Sequence, residues 1–518
     1  MVPLFSIRTD SGWGLGEIAD LPRFARWAGA AGFQVVQLLP VNEVSGVTPS
    51  PYAAISAFAL DPVYLSLDRC EDFEKAGGRD ALPAEARQKL EDLRRAERVD
   101  WGAVRALKAA GIDLAFRRFL QEEWKQRSPR ARQLAAFIHD TRDWLDDHAL
   151  FTVLHDRFQS AWTTWPEGER DRAPGAIAAV RRESPEALLR VAWIQWELGR
   201  QWRRARLEAS AAGVELMGDL PFTVGVDSSD VWSNRGLFRT DLHVGTPPDE
   251  ESPEGQDWGL PVYDWNVLRR NELSWLKARA MRAGDLFSLY RIDHALGFYR
   301  TFFRSADGRV SGFTPAAENE QLALGERIMR LFRRFGEVVA EDLGIVPPFL
   351  RPSLDKVGVP GYRVLRWEKD GDEPRDPAGW PALSVATNGT HDTDTTAEWY
   401  DHLSPEEREK LRKIPALASL DPARPFDDQT RDIFLRALFQ APSVLALVPI
   451  QDALGGRERI NEPGTVGADN WTFRMARSVD ELVADTALTT RLAELVKSSG
   501  REGAVDRASA TGKRPEGS

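Results

Sequence analysis

Short apolar runs recur along the chain, and each one gives way to polar residues, glycine or proline. Several runs are nearly continuous in apolar residues, which is typical of strands buried on both faces of a parallel sheet. The predicted strands are residues 35–41, 59–67, 214–224, 286–290 running into 291–293, 338–343, 364–367, 383–386 and 444–450. Amphipathic helical stretches lie between many of them, over residues 21–31, 185–212, 267–283, 320–335 and 405–411. Repeated strand–helix alternation predicts an α/β fold, a closed (β/α)8 TIM barrel rather than an open sheet.

One long interval interrupts the alternation. Residues from about 68 to 206 are charged and helix-patterned, with no convincing strand. Because this interval is too long and too amphipathic for a linker, it predicts a large helical insertion between the second and third strands. Residues 1–497 are accordingly expected to form one barrel domain that also carries shorter loop insertions. The last residues, 498–518, have almost no apolar content and predict a disordered tail.

Composition narrows the class of protein. The 518 residues hold 68 Lys and Arg against 79 Asp and Glu, a net charge of −11 without a strong basic face, which argues against a nucleic-acid partner. Cys70 is the only cysteine, so neither an intramolecular disulfide nor a cysteine-rich metal site is possible. Without a signal-peptide pattern or a run of roughly 18 apolar residues, the protein is expected to be cytoplasmic and to make no membrane contact. The chain has 18 Trp and 7 Tyr, and the large apolar face of a Trp side chain is suited to packing on the apolar face of a neutral sugar.

Acidic residues follow four of the predicted strands at the point where each apolar run ends: Asp219, Asp293, Glu341 and Asp392. Because the active sites of such barrels lie at the C-terminal ends of the strands, these four are expected to converge on one mouth. Glycosyl transfer needs one carboxylate as nucleophile and one carboxylic acid as proton donor. Arg291, two residues before Asp293, shares its face of the strand and should keep it ionised. Crowding by two aspartates should raise the pKa of Glu341, as a proton donor requires.

Each of these residues also has a simpler interpretation. A single acid after a strand is often a helix cap or a turn residue, and we expect Asp342 and Asp394 to have such structural roles. A metal site is the rival interpretation of His391-Asp392, which resembles the His-Asp doublet of metal phosphohydrolases. That doublet recurs at His139-Asp140 and His155-Asp156 in the helical interval, and no His-Glu-x-x-His spacing accompanies it. We therefore predict no metal or organic cofactor.

The most specific signal is an ordered set of motifs. They are WGLG at 13–16, QLLP at 37–40, SPY at 50–52, SAF at 56–58, GDLP at 218–221, DSSDVW at 227–232, PPD at 247–249, GQDWG at 255–259, PVY at 261–263, RIDH at 291–294, EDLG at 341–344, HD at 391–392, VPIQD at 448–452, NEPG at 461–464 and NW at 470–471. In this order, and over residues from about 3 to 474, the chain resembles the amylomaltase-type 4-α-glucanotransferases of the α-amylase clan.

The resemblance implies a role for each matching residue. Asp293 would be the nucleophile, Glu341 the general acid/base, and Asp392 the acid that distorts or steadies the sugar ring. The implied substrate-binding and supporting residues are Tyr52 as a stacking platform, Asp219, Asp249, Gln256, Trp258, Arg291, His294, His391 and, as a weaker match, Asn461. A loop over about 245–260, which holds Asp249, Gln256 and Trp258, would cover the substrate cleft.

The implied reaction is retaining transfer of an α-1,4-glucan segment. The donor would be a maltooligosaccharide, amylose or a glycogen-derived glucan, and the acceptor the 4-OH of another glucan or of glucose. Two alternatives stay open, an α-glucan hydrolase with the same site and a non-catalytic glucan-binding protein on an inherited barrel. The chain also departs from the family's pattern, because Glu250-Glu251-Ser252-Pro253-Glu254 stands where aromatic residues are usual and Leu60-Asp61-Pro62 replaces Gly-Asn-Pro. Acidic side chains do not stack on sugars, so the prediction does not extend to cyclising activity.

Overall fold

The computed structural model of the chain describes residues 1–46, 50–248, 253–371, 373–465 and 467–501. Its strands are β1 (Val35–Gln37), β2 (Glu215–Leu220), β3 (Phe238–Thr246), β4 (Gln256–Tyr263), β5 (Leu289–Ile292), β6 (Thr301–Ser305), β7 (Ser311–Thr314), β8 (Glu337–Ala340), β9 (Gly361–Val364), β10 (Lys369–Asp370), β11 (Glu373–Pro374), β12 (Ser384–Thr387) and β13 (Leu445–Leu447). Within these ranges, seven strands form one parallel sheet in the order β1-β2-β5-β8-β9-β12-β13.

The first two residues lie between the end strands of this sheet. The Val2 N–H donates to the carbonyl of Gln37 in β1 at 2.8 Å, and the Met1 carbonyl accepts from Ile450 N–H, just beyond β13, at 2.9 Å. Backbone hydrogen bonds therefore run almost the whole way round the ring. The predicted parallel barrel is confirmed.

The predicted strand over residues 59–67 is wrong. This segment contains the 3₁₀ turns Pro62–Tyr64 and Leu67–Arg69 and joins β structure only through an isolated bridge between Asn42 and Leu60. Its apolar side chains are buried by packing against neighbouring helices, which resembles strand burial in a one-dimensional pattern. As a result β1 pairs directly with β2, and the helical interval lies between the first and second strands of the ring.

Helices fill the interval between β1 and β2. They are Glu71–Lys75, Ala84–Arg95, Trp101–Phe119, Pro129–Asp140, Arg142–Phe158, Glu167–Arg170, Pro174–Glu183 and Pro185–Ala211. Local sequence sets their starts, since the Asp100 side chain accepts from Ala103 N–H at 3.0 Å to cap one of them. Phe73 and Trp193, which lie on two of these helices, belong to the same continuous core as Val36 of β1. The helices therefore pack directly on the barrel. The proposed domain boundaries stay a prediction.

The remaining helices surround the barrel. They are Leu21–Ala30, Ser229–Ser233, Trp265–Arg270, Ser274–Leu286, Glu318–Arg333, Leu350–Val357, Thr396–His402, Pro405–Leu411, Asp428–Phe439, Ile450–Leu454, Val479–Ala484 and Thr486–Ser498. The single helix predicted over 267–283 is wrong, because Glu272 and Leu273 adopt left-handed backbone angles, φ 58° and 60°, and divide it in two. In the part of the chain that the structure covers, no helix has the length and apolar character to cross a membrane. Most of the predicted tail, residues 502–518, lies outside the described residues.

A second sheet stands beside the mouth of the barrel. It is antiparallel, with the order β4-β3-β6-β7. The β3–β4 hairpin belongs to the connection that follows β2, and the β6–β7 hairpin to the connection that follows β5. Both connections leave the C-terminal ends of barrel strands, where active sites of this fold are built.

Candidate active site

Three of the acidic residues meet at one guanidinium group. Arg291 of β5 binds Asp219, at the end of β2, through Nη1 at 2.7 and 2.8 Å. Its Nη2 lies 2.8 Å from Asp293 Oδ1 and 4.0 Å from Glu341 Oε2. Three of the four strand-end acids predicted to converge therefore meet, and Arg291 lies between them.

The two proposed reacting carboxyl groups are close together. Both distances from Asp293 and Glu341 end at the same Arg291 nitrogen, so the two carboxylate oxygens are separated by at most the sum of 2.8 and 4.0 Å, about 6.8 Å. This limit includes the ~5–5.5 Å of retaining glycosidases and excludes nearly all of the ~6.5–9.5 Å range of inverting ones. The geometry favours the retaining class.

Glu341 lies in a largely buried position after β8, with 13% of its side chain exposed. Burial raises the pKa of Glu341 to about 7; Asp293 adds to the rise, while Arg291 and two backbone N–H groups oppose it. Those N–H groups belong to His294 and Leu343 and lie 2.8 and 2.9 Å from the carboxylate. The direction agrees with the sequence-based expectation, but the main cause is burial rather than crowding by aspartates.

His294 contributes its backbone to this arrangement. Its φ of 44° is left-handed, a conformation that costs a residue other than glycine roughly 1–3 kcal/mol. In this conformation His294 directs its N–H to Glu341. The imidazole packs against the edges of Phe222 and Trp258, at 5.6 and 4.9 Å between ring centroids. Burial lowers the pKa of His294 to about 4, so the ring is neutral at neutral pH.

Asp219 supports Arg291 from the buried side of the site. Its side chain is fully buried and also accepts a hydrogen bond from the Tyr52 hydroxyl at 2.8 Å. Burial alone would lower the pKa of Arg291, but Asp219 and Asp293 outweigh it and raise that pKa well above its ordinary value. The Tyr52 ring stacks on His391, with centroids 5.1 Å apart and planes at 16°. One face of the expected sugar platform is therefore already occupied by His391.

Asp392, in the loop after β12, has two side-chain donors. Asn461 Nδ2 donates to Oδ1 at 2.7 Å, and His391 Nε2 lies 3.2 Å from Oδ2. Burial would raise the pKa of Asp392, but His391 and Asn461 together lower it to about 2. Burial alone would lower the pKa of His391, but the neighbouring Asp392 raises it. Since 40% of the Asp392 side chain is exposed, this ionised group stays accessible to a ligand.

Two of the three expected loop residues lie within the described part of the chain. Trp258 Nε1 donates to Gln256 Oε1 at 3.0 Å, and the Trp258 ring packs edge-on against His294. Asp249 and the acidic segment Glu250-Glu251-Ser252 lie outside the described residues.

Sequence reasoning missed two features beside the site. The Trp471 ring lies 5.8 Å from both Tyr52 and His391, and its carbonyl accepts from Trp101 Nε1 at 2.9 Å. The buried Gln37 side chain reaches Tyr362 of β9, with 3.4 Å between Nε2 and the hydroxyl. A glutamine inside the apolar run of β1 was the available signal for Gln37. Nothing local to Trp471 indicates its neighbours.

The two acids that were expected to have structural roles, Asp342 and Asp394, bind arginines. Asp342 is fully buried and pairs with Arg351 at 3.1 Å and Arg363 at 3.4 Å, and Asp394 pairs with Arg459 at 2.5 Å. Across the described ranges, no group of three or more His, Cys, Asp or Glu side chains is arranged to hold a metal ion.

A parallel α/β barrel with an aspartate and a glutamate close together at its mouth is typical of enzymes that act on glycosidic bonds. Residues 2–480 match glycoside hydrolase family 77, 4-alpha-glucanotransferase, and the chain belongs to this family of transferases. The resemblance derived from the motifs is thereby confirmed.

Relatives and solved structures agree with this assignment. The curated 4-alpha-glucanotransferase of Chlamydia caviae is 31% identical over 511 residues, which cover 95% of this chain and 93% of the relative. That of Thermus thermophilus is 33% identical over 478 residues, covering 89% and 90%. The amylomaltase of Streptococcus agalactiae, solved in complex with acarbose, is 24% identical and superposes with a TM-score of 0.83 over 97% of this chain and 99% of that one. This last likeness establishes the shared TIM-barrel fold.

Proposed function

We propose that the protein transfers α-1,4-glucan segments between maltooligosaccharides through a covalent intermediate on Asp293. One observation carries the proposal: Arg291 contacts Asp293 while Glu341, with its pKa raised to about 7, lies within about 6.8 Å of that carboxylate. Burial favours the protonated form of Glu341, as a proton donor requires, and the Arg291 guanidinium lies where it stabilises negative charge on Asp293, as a nucleophile requires. The reaction needs one carboxyl group that carries a proton and one that can attack C1, so two groups of the same kind would not catalyse it.

The first step breaks the donor's glycosidic bond. Protonated Glu341 donates its proton to the glycosidic oxygen while an Asp293 oxygen attacks C1, so the C1–O bond breaks as the C1–Asp293 bond forms. The fragment carrying the reducing end leaves with its new hydroxyl. Asp392, ionised and partly exposed, is placed to accept hydrogen bonds from sugar hydroxyls as positive charge develops at C1.

The second step returns the proton and reforms an α bond. Glu341, now ionised, takes the proton of an acceptor 4-OH, and the acceptor oxygen attacks C1 from the face that the leaving group vacated. The C1–Asp293 bond breaks and the configuration is retained. The acceptor in this proposal is another glucan or glucose.

Transfer requires that the acceptor reacts before water does. Gln256 and Trp258 lie together, and the Trp258 ring packs on His294, the residue whose N–H binds Glu341. We infer that this part of the 245–260 loop limits the access of water to the intermediate, since exclusion of water suppresses hydrolysis. In this proposal the helical interval 68–206 and the loop belong to one catalytic unit with the barrel.

The proposal is tested by incubating the purified protein with maltotriose alone. Transfer yields glucose together with maltopentaose and longer oligosaccharides, which chromatography resolves as a ladder. The number of glycosidic bonds, followed as reducing ends, stays constant during transfer. Shortening of the donor with a matching rise in reducing ends would instead identify an α-glucan hydrolase, and no reaction would leave a glucan-binding protein.

The pH dependence follows from Glu341. We expect kcat/KM for maltotriose to fall about tenfold per pH unit above pH about 7, because the first step needs the protonated acid and burial raises its pKa to about 7. An α-maltosyl fluoride donor serves as the control, since fluoride leaves without protonation and its rate should lack this alkaline decrease. The same decrease for both donors would assign the titration to another group.

A further inference from the structure

The β3–β4 hairpin has two register shifts, one between Arg239 and His243 and one between Val244 and Gly245, and the second lies beside the site. The consecutive residues Val244–Gly245 of β3 pair with Leu260 and Asp257 of β4, so the two residues between them, Trp258 and Gly259, form a bulge. Gly259 has a φ of +65°, a left-handed angle that suits glycine. Bulges turn a side chain away from the direction that the regular ladder would give it. Here the redirected side chain is Trp258.

A pair of polar side chains holds this bulge. Asp257 Oδ1 accepts from Gly259 N–H at 2.8 Å, which closes the bulge within β4. His243 Nδ1, on β3, lies 3.1 Å from Asp257 Oδ2 and 3.2 Å from Oδ1, which ties the bulge to the neighbouring strand. Partial burial would raise the pKa of Asp257, but Gly259 N–H, His243 and Arg304 lower it. Arg304 of β6 is the charged residue directly opposite His243 in the register between β3 and β6.

The bulge aims Trp258 at the residue that holds the acid. The ring centroids of Trp258 and His294 are 4.9 Å apart at an interplanar angle of 79°, and His294 N–H binds Glu341 at 2.8 Å. A shift of the bulge therefore moves a large ring that packs on His294, the residue whose N–H binds the proton donor. Misplacement by about 1 Å near reacting groups is enough to change rates by up to ~100-fold.

The hairpin does not need this pair to stay together. A Cβ on Gly245 would lie 1.9 Å from the Gln256 carbonyl oxygen, so the two strands are in close backbone contact there. The His243 and Asp257 side chains are 27% and 35% exposed, and a side-chain pair that is this exposed adds little to stability. What the pair adds is the orientation of the bulge.

We propose that His243 and Asp257 are positioning residues for glucan transfer, which hold the Trp258 bulge against His294 so that the acceptor rather than water reaches the intermediate. The inference rests on the proposed function and deepens it, because it assigns the choice between acceptor and water to a side-chain pair outside the proposed catalytic carboxyl groups.

The test compares Asp257→Ala with Asp241→Ala. Asp241 is the matched control, because its carboxylate is likewise bound by a side chain of β3, Arg239 at 2.5 Å, but it lies in the other register shift, between Arg239 and His243, and not at Trp258. With maltotriose, we expect Asp257→Ala to raise the ratio of hydrolysis to transfer about tenfold and Asp241→Ala to leave it unchanged. Because this ratio is counted per turnover, loss of folded enzyme does not move it.

Two further variants keep the test decisive. Asp257→Asn keeps an oxygen acceptor for Gly259 N–H and should stay within about twofold of the wild-type ratio, whereas His243→Ala should raise it, as Asp257→Ala does. Wild-type ratios in both alanine variants would overturn the positioning role, and if Asp257→Ala does not fold, His243→Ala alone decides. A wild-type protein that makes no oligosaccharide ladder would overturn the proposed function instead, so the two failures are distinguishable.

Discussion

We expect replacement of Asp293 by asparagine to lower kcat/KM for maltotriose by about 10⁴-fold while the fold stays intact. The amide cannot form the bond to C1, so the two-step path through the intermediate is lost. The substitution also removes the negative charge beside Arg291, whose Nη2 lies 2.8 Å from Asp293 Oδ1 in the native site. The change is measured as initial rates of glucose release, with circular dichroism and thermal unfolding to confirm that the variant is folded.

Asp143→Asn is the control for this experiment. It makes the same change of side chain at a position whose carboxylate is 94% exposed on the helix Arg142–Phe158. We expect wild-type rates from it. A folded Asp293→Asn variant that keeps more than about a tenth of the wild-type kcat/KM would show that another group attacks C1.

Much of this site was predictable because its residues stand where apolar runs end. Asp219, Asp293 and Glu341 each follow a buried strand, and the barrel rule then requires their side chains to meet. The spacing of Arg291 and Asp293 likewise predicts their contact, since residues two apart share a face of a strand. Local pattern and general topology were sufficient for this part of the site.

Other parts depend on contacts that no local pattern contains. Asn461 reaches Asp392 across 69 residues and Tyr52 reaches Asp219 across 167, so only the motif resemblance pointed to them. Trp471 had no such role assigned, although its ring lies beside Tyr52.

The errors in the fold include the predicted strand over 59–67, the single helix over 267–283, and the strand predicted over 364–367, which the structure has at Gly361–Val364. The segment 59–67 is apolar because helices cover it, and periodicity does not distinguish this burial from that of a strand. The helix over 267–283 is divided because Leu273 adopts a left-handed backbone angle, which a leucine side chain does not predict. Burial of Glu341, the main cause of its raised pKa, is likewise a tertiary property.

Glu341→Gln should separate the two chemical steps. With maltotriose we expect kcat/KM to fall about 10³–10⁴-fold, because the sugar leaving group needs a proton that glutamine does not supply. With α-maltosyl fluoride the first step needs no proton and proceeds, but the second step lacks its base. The maltosyl group should therefore accumulate on Asp293, visible by intact-protein mass spectrometry as an addition of one maltosyl unit and located by peptide mapping.

A small anionic nucleophile can attack the accumulated intermediate without a general base. Sodium azide should release the accumulated group from Glu341→Gln as α-maltosyl azide and restore turnover of the fluoride, while wild-type turnover is little changed. The double variant Asp293→Asn with Glu341→Gln is the control and should form no adduct. An adduct on a residue other than Asp293, or β-maltosyl azide as the product, would contradict a double displacement at this pair of carboxyl groups, since two inversions at C1 are what make the α product.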